Sequence, residues 1–246
     1  RLIACGLVAG LAAAAGGCGG EPLDVWAAGD MLRLSESTPA DAAEAGGTWD
    51  PETGAVTLRA AANETAAFQL VLDAPRGPAG GVTVEIDPPV GPDGPLPPGS
   101  VRLYRQRPME VGRLPTWHLL MTAGPIDPPE RFYDALVPIN TPAERPSLFG
   151  PPPGRPRLTR FDLPRGGRAA LWVDVHIPRD ATPGRYRAPI RVRAGGRIQR
   201  GTLRLEVLDL VLPDQQPVLC LGAFGHEEIY RHLVGGDRRG PGGAGR

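Results

Sequence analysis

The chain has 246 residues with 27 basic and 27 acidic side chains, and every basic one is arginine. A neutral balance with no Lys/Arg run gives no electrostatic footprint for nucleic acid, so none is expected as a partner. Glycine (34) and proline (30) make about a quarter of the chain. The apolar residues nevertheless sit in short alternating runs, which excludes disorder throughout and predicts short strands joined by Pro/Gly connections.

Arg1 followed by the apolar run Leu2–Ala15 has the layout of a secretory signal, and it is too short for a stable membrane span. The run ends Ala15-Gly16-Gly17-Cys18, small residues before a cysteine as in a bacterial lipobox, with Ala15 where leucine is usual. The expectation is a lipoprotein signal over 1–18, lipid on Cys18 as the only membrane contact, a tether over 19–23, and residence in the bacterial cell envelope. A plain secretory signal is the alternative. Cys5, Cys18 and Cys220 leave no internal disulfide after processing, so stability rests on the core.

A first strand is expected within Asp24–Leu34. Ala55–Ala60 alternates, Ala66–Ala74 is stronger with Phe68, Leu70 and Leu72 on one face, Gly81–Ile86 alternates again, and Val101–Tyr104 is short. Pro88–Gly99 and Gly150–Pro156 read as surface loops. Arg113–Leu148 reads as one long irregular connection, of the kind that carries function or forms an interface. Leu171, Val173, Val175 and Ile177 alternate with Trp172, Asp174 and His176. Pro178 ends that strand, Pro183-Gly184 suits a type II turn, and Tyr186–Val192 returns, which predicts a hairpin. Arg200–Leu212 is the last strand.

The pattern then changes. Val218–Phe224 is continuously apolar, as in a strand buried on both faces, and His226–Val234 reads as helical. Gly235–Arg246 has no means of folding. The expected organisation is an all-β sandwich, jelly-roll or immunoglobulin-like, over 24–213. The first β-α unit of a (β/α) barrel, cut off early, follows over 214–234, with a tail over 235–246.

Four passages resemble one family. Asn63-Glu64 with Phe68-Gln69-Leu70-Val71-Leu72 is similar to the "NE…FQLVL" segment of the N-terminal domain of glycoside hydrolase family 123 and of the related domain of unknown function 4091. Tyr133–Pro138 is similar to that group's "YPDPLLP", with Ala135 for the usual proline. Leu171–Val175, Pro178, Asp180-Ala181 and Pro183–Tyr186 resemble its "LWVDVYVPKDAPPGEY", and Leu210–Pro213 resembles the exit toward its barrel. The resemblance runs from about Val25 to Phe224. It implies a surface protein whose sandwich precedes a glycosidase-like barrel. In characterised relatives that barrel cleaves N-acetylgalactosaminides with an adjacent Asp-Glu pair and the substrate's own acetamido group. No residue of this chain matches that pair, so no catalytic residue is assigned, and whether the parent is an active enzyme stays open.

The candidates for a glycan contact are Trp117, His118 and Tyr133, aromatic and polar groups in the long connection; packing onto the sandwich is the competing role for Trp117. Trp172 faces away from Leu171 and Val173, toward either a second core or an interdomain surface. His226 and His232 are six apart, not on one helical face, so no zinc motif forms; Glu227-Glu228 point apart. Asp73, Asp87, Asp93 and Asp174 lack calcium-loop spacing. No metal or cofactor is expected. The expected function is a non-catalytic sandwich supporting a family 123-like barrel that acts on amino-sugar glycans. The missing barrel and a glycan would then be its partners. The alternative is a stand-alone carbohydrate-binding or structural envelope lipoprotein.

Overall fold

A computed structural model describes residues 23–113, 125–139 and 160–214. The expected signal, Cys18, Trp117, His118 and the α/β segment beyond 214 lie outside them. The chain divides into two packed units, Arg1–Leu212 and Pro213–Arg246, and the account below concerns the first.

The described elements are almost all strands: β1 (Asp24–Gly29), a 3-10 turn (Ala40–Gly46), β2 (Trp49–Asp50), β3 (Ala55–Ala62), β4 (Thr65–Asp73), β5 (Ala79–Ile86), β6 (Val90–Gly91), β7 (Gly94–Pro95), β8 (Val101–Arg113), β9 (Pro125–Pro138), β10 (Arg160–Leu163), β11 (Arg168–His176), β12 (Gly184–Ala194) and β13 (Arg197–Val211). One sheet has the order β1-β4-β11-β8-β9 and is antiparallel throughout. The other has the order β10-β5-β12-β13-β3-β2, with the small β6–β7 pair attached to β12. This is the expected all-β sandwich.

The core lies between the sheets. Phe68, Leu70 and Leu72 of β4 and Leu171, Val173 and Val175 of β11 face Val56, Val82, Ile190, Leu203 and Leu205 from the second sheet, all 3% exposed or less. Each such side chain contributes about 1.5–3 kcal/mol by leaving water. Alternation explains which residues turn inward, since these core positions are two apart along β4 and along β11.

The Leu171–Val192 segment is not a hairpin. β11 pairs with β4 and β8, whereas β12 pairs with β13 and β5, so Pro178–Pro183 carries the chain from one sheet to the other. The apolar faces of the two strands meet across the core instead of lying side by side. Gly184 does hold a conformation that favours glycine, but at φ 147 rather than the value near +80 of a type II turn. A Cβ there would also stand 2.9 Å from Pro92 Cγ. The two-residue hairpin is the next one: Gly195 (φ 53) and Gly196 (φ 80) join β12 to β13, the glycine pair a type I′ turn requires.

The long connection expected over Arg113–Leu148 contains β9, which pairs with β8 from Tyr104↔Pro138 to Arg113↔Pro125, with register shifts at Arg107/Pro108 and Val111/Arg113. β8 itself reaches Arg113, well past Tyr104. Pro125, Pro128 and Pro129 disguise this strand. They are tolerated because β9 is the sheet's edge, whose outer side pairs, among the described residues, only around Phe132, with Ser35.

Candidate functional site

Five successive residues of β4, Phe68–Leu72, are buried, so the outer face of the five-stranded sheet is covered as well as the inner one. The cover is the segment after β1. Leu34 packs on Trp26, Ala28, Val71, Ala170 and Tyr133 in a second, smaller apolar cluster. Arg168 fastens it down: its Nη1 donates to the carbonyls of Thr38 (2.6 Å) and Ser35 (3.2 Å), while Asp73 holds the rest of the guanidinium.

Beside this cover, the same face carries a half-open cavity of about 460 Å³. Four strands supply its floor. Gln69 of β4 stands opposite Trp172 of β11, and Gln106 of β8 stands opposite Leu136 of β9. Phe132 and Tyr133 of β9 form a wall, with Asp30 and Asp134 at the rim. Arg33 lies over the Phe132 ring, 4.2 Å from its centroid.

The hydrogen bonding of the floor is determined step by step. Gln69 Nε2 donates to the carbonyls of Gly29 (3.0 Å) and Leu32 (2.7 Å), which fixes the amide and leaves Oε1 as its acceptor. Gln106 Nε2 donates to that Oε1 at 3.1 Å. Gln106 Oε1 is therefore an acceptor, and it is buried with no partner among the described residues. Such an orphan costs about 1–3 kcal/mol. Burying polar groups beneath a cavity at this cost is characteristic of a site that recognises something.

Trp172 is half-buried and its Nε1 donates to Asp174 Oδ1 at 2.7 Å, so the indole is held in place. Tyr133, one of the three predicted contacts, lines the cavity but is only 8% exposed. Its hydroxyl donates to the Arg168 carbonyl at 3.3 Å, and burial, helped by nearby Glu36, pushes its pKa up to about 12. It is a neutral wall, not a titrating group. Glu130 of β9 accepts from Ser37 Oγ at 2.8 Å; the hydroxyls of Ser35 and Ser37 hold its carboxyl below the ordinary range.

Gln69, Gln106, Phe132 and Arg33 were not singled out by sequence reasoning. The available signal was a glutamine inside the apolar run Phe68–Leu72. Among the described residues no three His, Cys, Asp or Glu side chains gather as a metal site. The arrangement offers fixed hydrogen-bond groups and aromatic surface, which is equipment for binding.

No family model and no curated protein matches the sequence. Solved structures do match the fold. A family 123 glycoside hydrolase from Clostridium perfringens, described for glycolipid glycan hydrolysis, superposes with TM-score 0.55 at 16% identity, over 78% of this chain and 28% of that one. A PapD-like domain of human CEP192 gives 0.29 at 10% identity over 63% and 82%, and AvmM, a macrocyclisation enzyme of alchivemycin A biosynthesis, gives 0.30 at 10% over 66% and 87%. The last two scores are too low to bear on architecture. The chain spans 28% of the family 123 enzyme's length. Its sandwich therefore shares the fold of one part of a family 123 glycoside hydrolase.

Proposed function

We propose that the chain is the non-catalytic sandwich module of a glycoside hydrolase-like surface protein, and that the outer-face cavity seats a sugar unit of its glycan. The fold shared with part of a family 123 enzyme supports the first half. The observation that carries the second is the cavity floor: a buried acceptor, Gln106 Oε1, beside the fixed indole of Trp172. A sugar supplies both complements, O–H donors for the acceptor and an apolar ring face for the aromatic. Lipid on Cys18 would hold the module in the envelope, and a barrel domain would carry the chemistry.

Calorimetric titration of the chain against a panel of neutral and N-acetylated oligosaccharides tests this. Binding of at least one member is expected, weakened about tenfold or more by Trp172→Ala, since hydrogen bonds and aromatic contact of this kind contribute over 1 kcal/mol. Flat titrations across the panel would overturn the sugar site. Hydrolysis of an aryl N-acetylgalactosaminide by the chain alone would overturn the non-catalytic assignment.

A further inference from the structure

The outer face of the second sheet gathers arginines that are dispersed in sequence. Inward positions of β12 and β13 are Tyr186, Ala188, Ile190, Leu203 and Leu205, so Arg185, Arg187, Arg200 and Arg204 point out, and all four are exposed. The register sets Arg187 directly opposite Arg204 and Arg191 directly opposite Arg200. Like charges at directly opposed positions destabilise a sheet. The two opposed pairs lie four residues apart, about 13 Å along the strands.

Carboxylates offset only part of this charge. Asp87 takes Arg191 at two points (2.6 and 2.8 Å), Glu85 lies 3.3 Å from the same guanidinium, and Glu206 pairs with Arg59 at 2.9 Å. Among the described residues Arg185, Arg187 and Arg200 form no ion pair within 4 Å, although Arg185 stands opposite Glu206; Arg204 donates to Thr53 Oγ1 at 3.5 Å and lies near enough to Asp50 to help lower that carboxyl's pKa, without an ion pair.

We infer that this face docks an anionic polysaccharide bearing carboxylate or sulfate groups along its length. Guanidinium forks bind both groups bidentately, and Arg185, Arg187, Arg200 and Arg204, spread along two adjacent strands without an ion pair, suit a linear polyanion better than a point ion. The exposed positions between the arginines include Thr57 and Pro189, with no aromatic side chain among the described residues of the face. Bases would lack a stacking platform there, and a lipid surface would lack aromatic anchors. The choice of a glycan among polyanions rests on the glycan reading above.

The test titrates the full chain with fluorescein-labelled heparin and with polygalacturonate. Wild type binds at least one probe at about 50 mM salt and loses affinity steeply toward about 200 mM. Arg204→Glu turns the Arg187–Arg204 repulsion into an opposed-charge pair, so the variant melts no lower than wild type yet binds about tenfold or more weakly. Arg204→Lys retains the charge and stays close to wild type. Binding unchanged in Arg204→Glu, or binding to phosphatidylserine vesicles but to neither polysaccharide, overturns the proposal. Trp172→Ala leaves heparin binding unchanged, so the cavity and this face stand or fall separately.

Discussion

Arg168 grips Asp73 at two points, Nε to Oδ1 at 2.6 Å and Nη2 to Oδ2 at 3.0 Å, while Trp26 Nε1 donates to the same carboxylate at 2.9 Å. The two side chains are 14% and 20% exposed. Removing one partner strands a charge in a largely dry place. Arg168→Met is expected to cost about 3 kcal/mol in urea unfolding, because breaking a buried pair is far more damaging than replacing it whole. It also releases the Ser35 and Thr38 carbonyls, so glycan binding in the cavity falls with it. At the exposed Arg59–Glu206 pair the same change should cost under about 1 kcal/mol.

Asn63 is the one described non-glycine residue with a positive φ, at 63. Asparagine tolerates this conformation, and here its Nδ2 also donates to the Leu212 carbonyl at 3.0 Å, tying the β3–β4 turn to the end of β13. Asn63→Ala adds backbone strain to the lost hydrogen bond and should cost about 2 kcal/mol. Asn63→Gly relieves the strain alone and should recover about half of the loss. Thermal or urea melts of the two variants separate the contributions.

Alkaline unfolding reports on Tyr133. Its folded pKa of about 12 exceeds the ordinary value of 10.0 because burial disfavours the phenolate. Between those values the unfolded state gives up a proton that the folded state keeps, so stability present below pH 10 is lost as pH rises through 12. The loss amounts to about 2–3 kcal/mol. Tyr133→Phe should flatten the stability curve over that interval while changing stability at pH 7 by about 1 kcal/mol. Tyr186, also raised by burial, titrates in both proteins and cancels in the comparison.

Gly91 leaves room for a core side chain. A Cβ there would collide with Cε1 and Cδ1 of Tyr186, a ring only 3% exposed whose hydroxyl donates to the Thr182 carbonyl at 2.8 Å. Gly91→Ala must displace that ring. The expected cost is about 2 kcal/mol, read by urea denaturation. A crystal structure of the variant should show the Tyr186–Thr182 hydrogen bond lengthened.

Strands buried on one face were legible as alternation, because burial of one side is written at every second residue. β3, β4, β5, β11, β12 and β13 were found this way. Which sheet each strand joins was not legible, since alternation marks a face and not a partner. That is why the Leu171–Val192 segment read as a hairpin although it crosses the core. β9 stayed hidden for another reason. Pro125, Pro128 and Pro129 interrupt any alternation, Asp134–Leu136 are exposed in succession, and the strand is held by backbone bonds to β8 and, at Arg131 and Tyr133, to the segment after β1. The cavity was legible only in outline. Tyr133 was singled out, whereas Gln69 and Gln106 meet only after three strands separate them in sequence and β11 brings them together. The arginine face escaped for the same reason, being spread singly over β12 and β13.

β13 enters the second sheet between β12 and β3, and it runs parallel to β3 from Thr202↔Ala55 to Val207↔Ala60. The ribosome makes β3 about 150 residues before its partner. During synthesis β3 has no β13 to lie against, and the core that Leu203 and Leu205 fill stays open. Pairings this distant close slowly and leave apolar edges exposed meanwhile. The sandwich is thus completed by its final strand, and a nascent chain stopped anywhere before Val211 is a client for chaperones and not yet a domain.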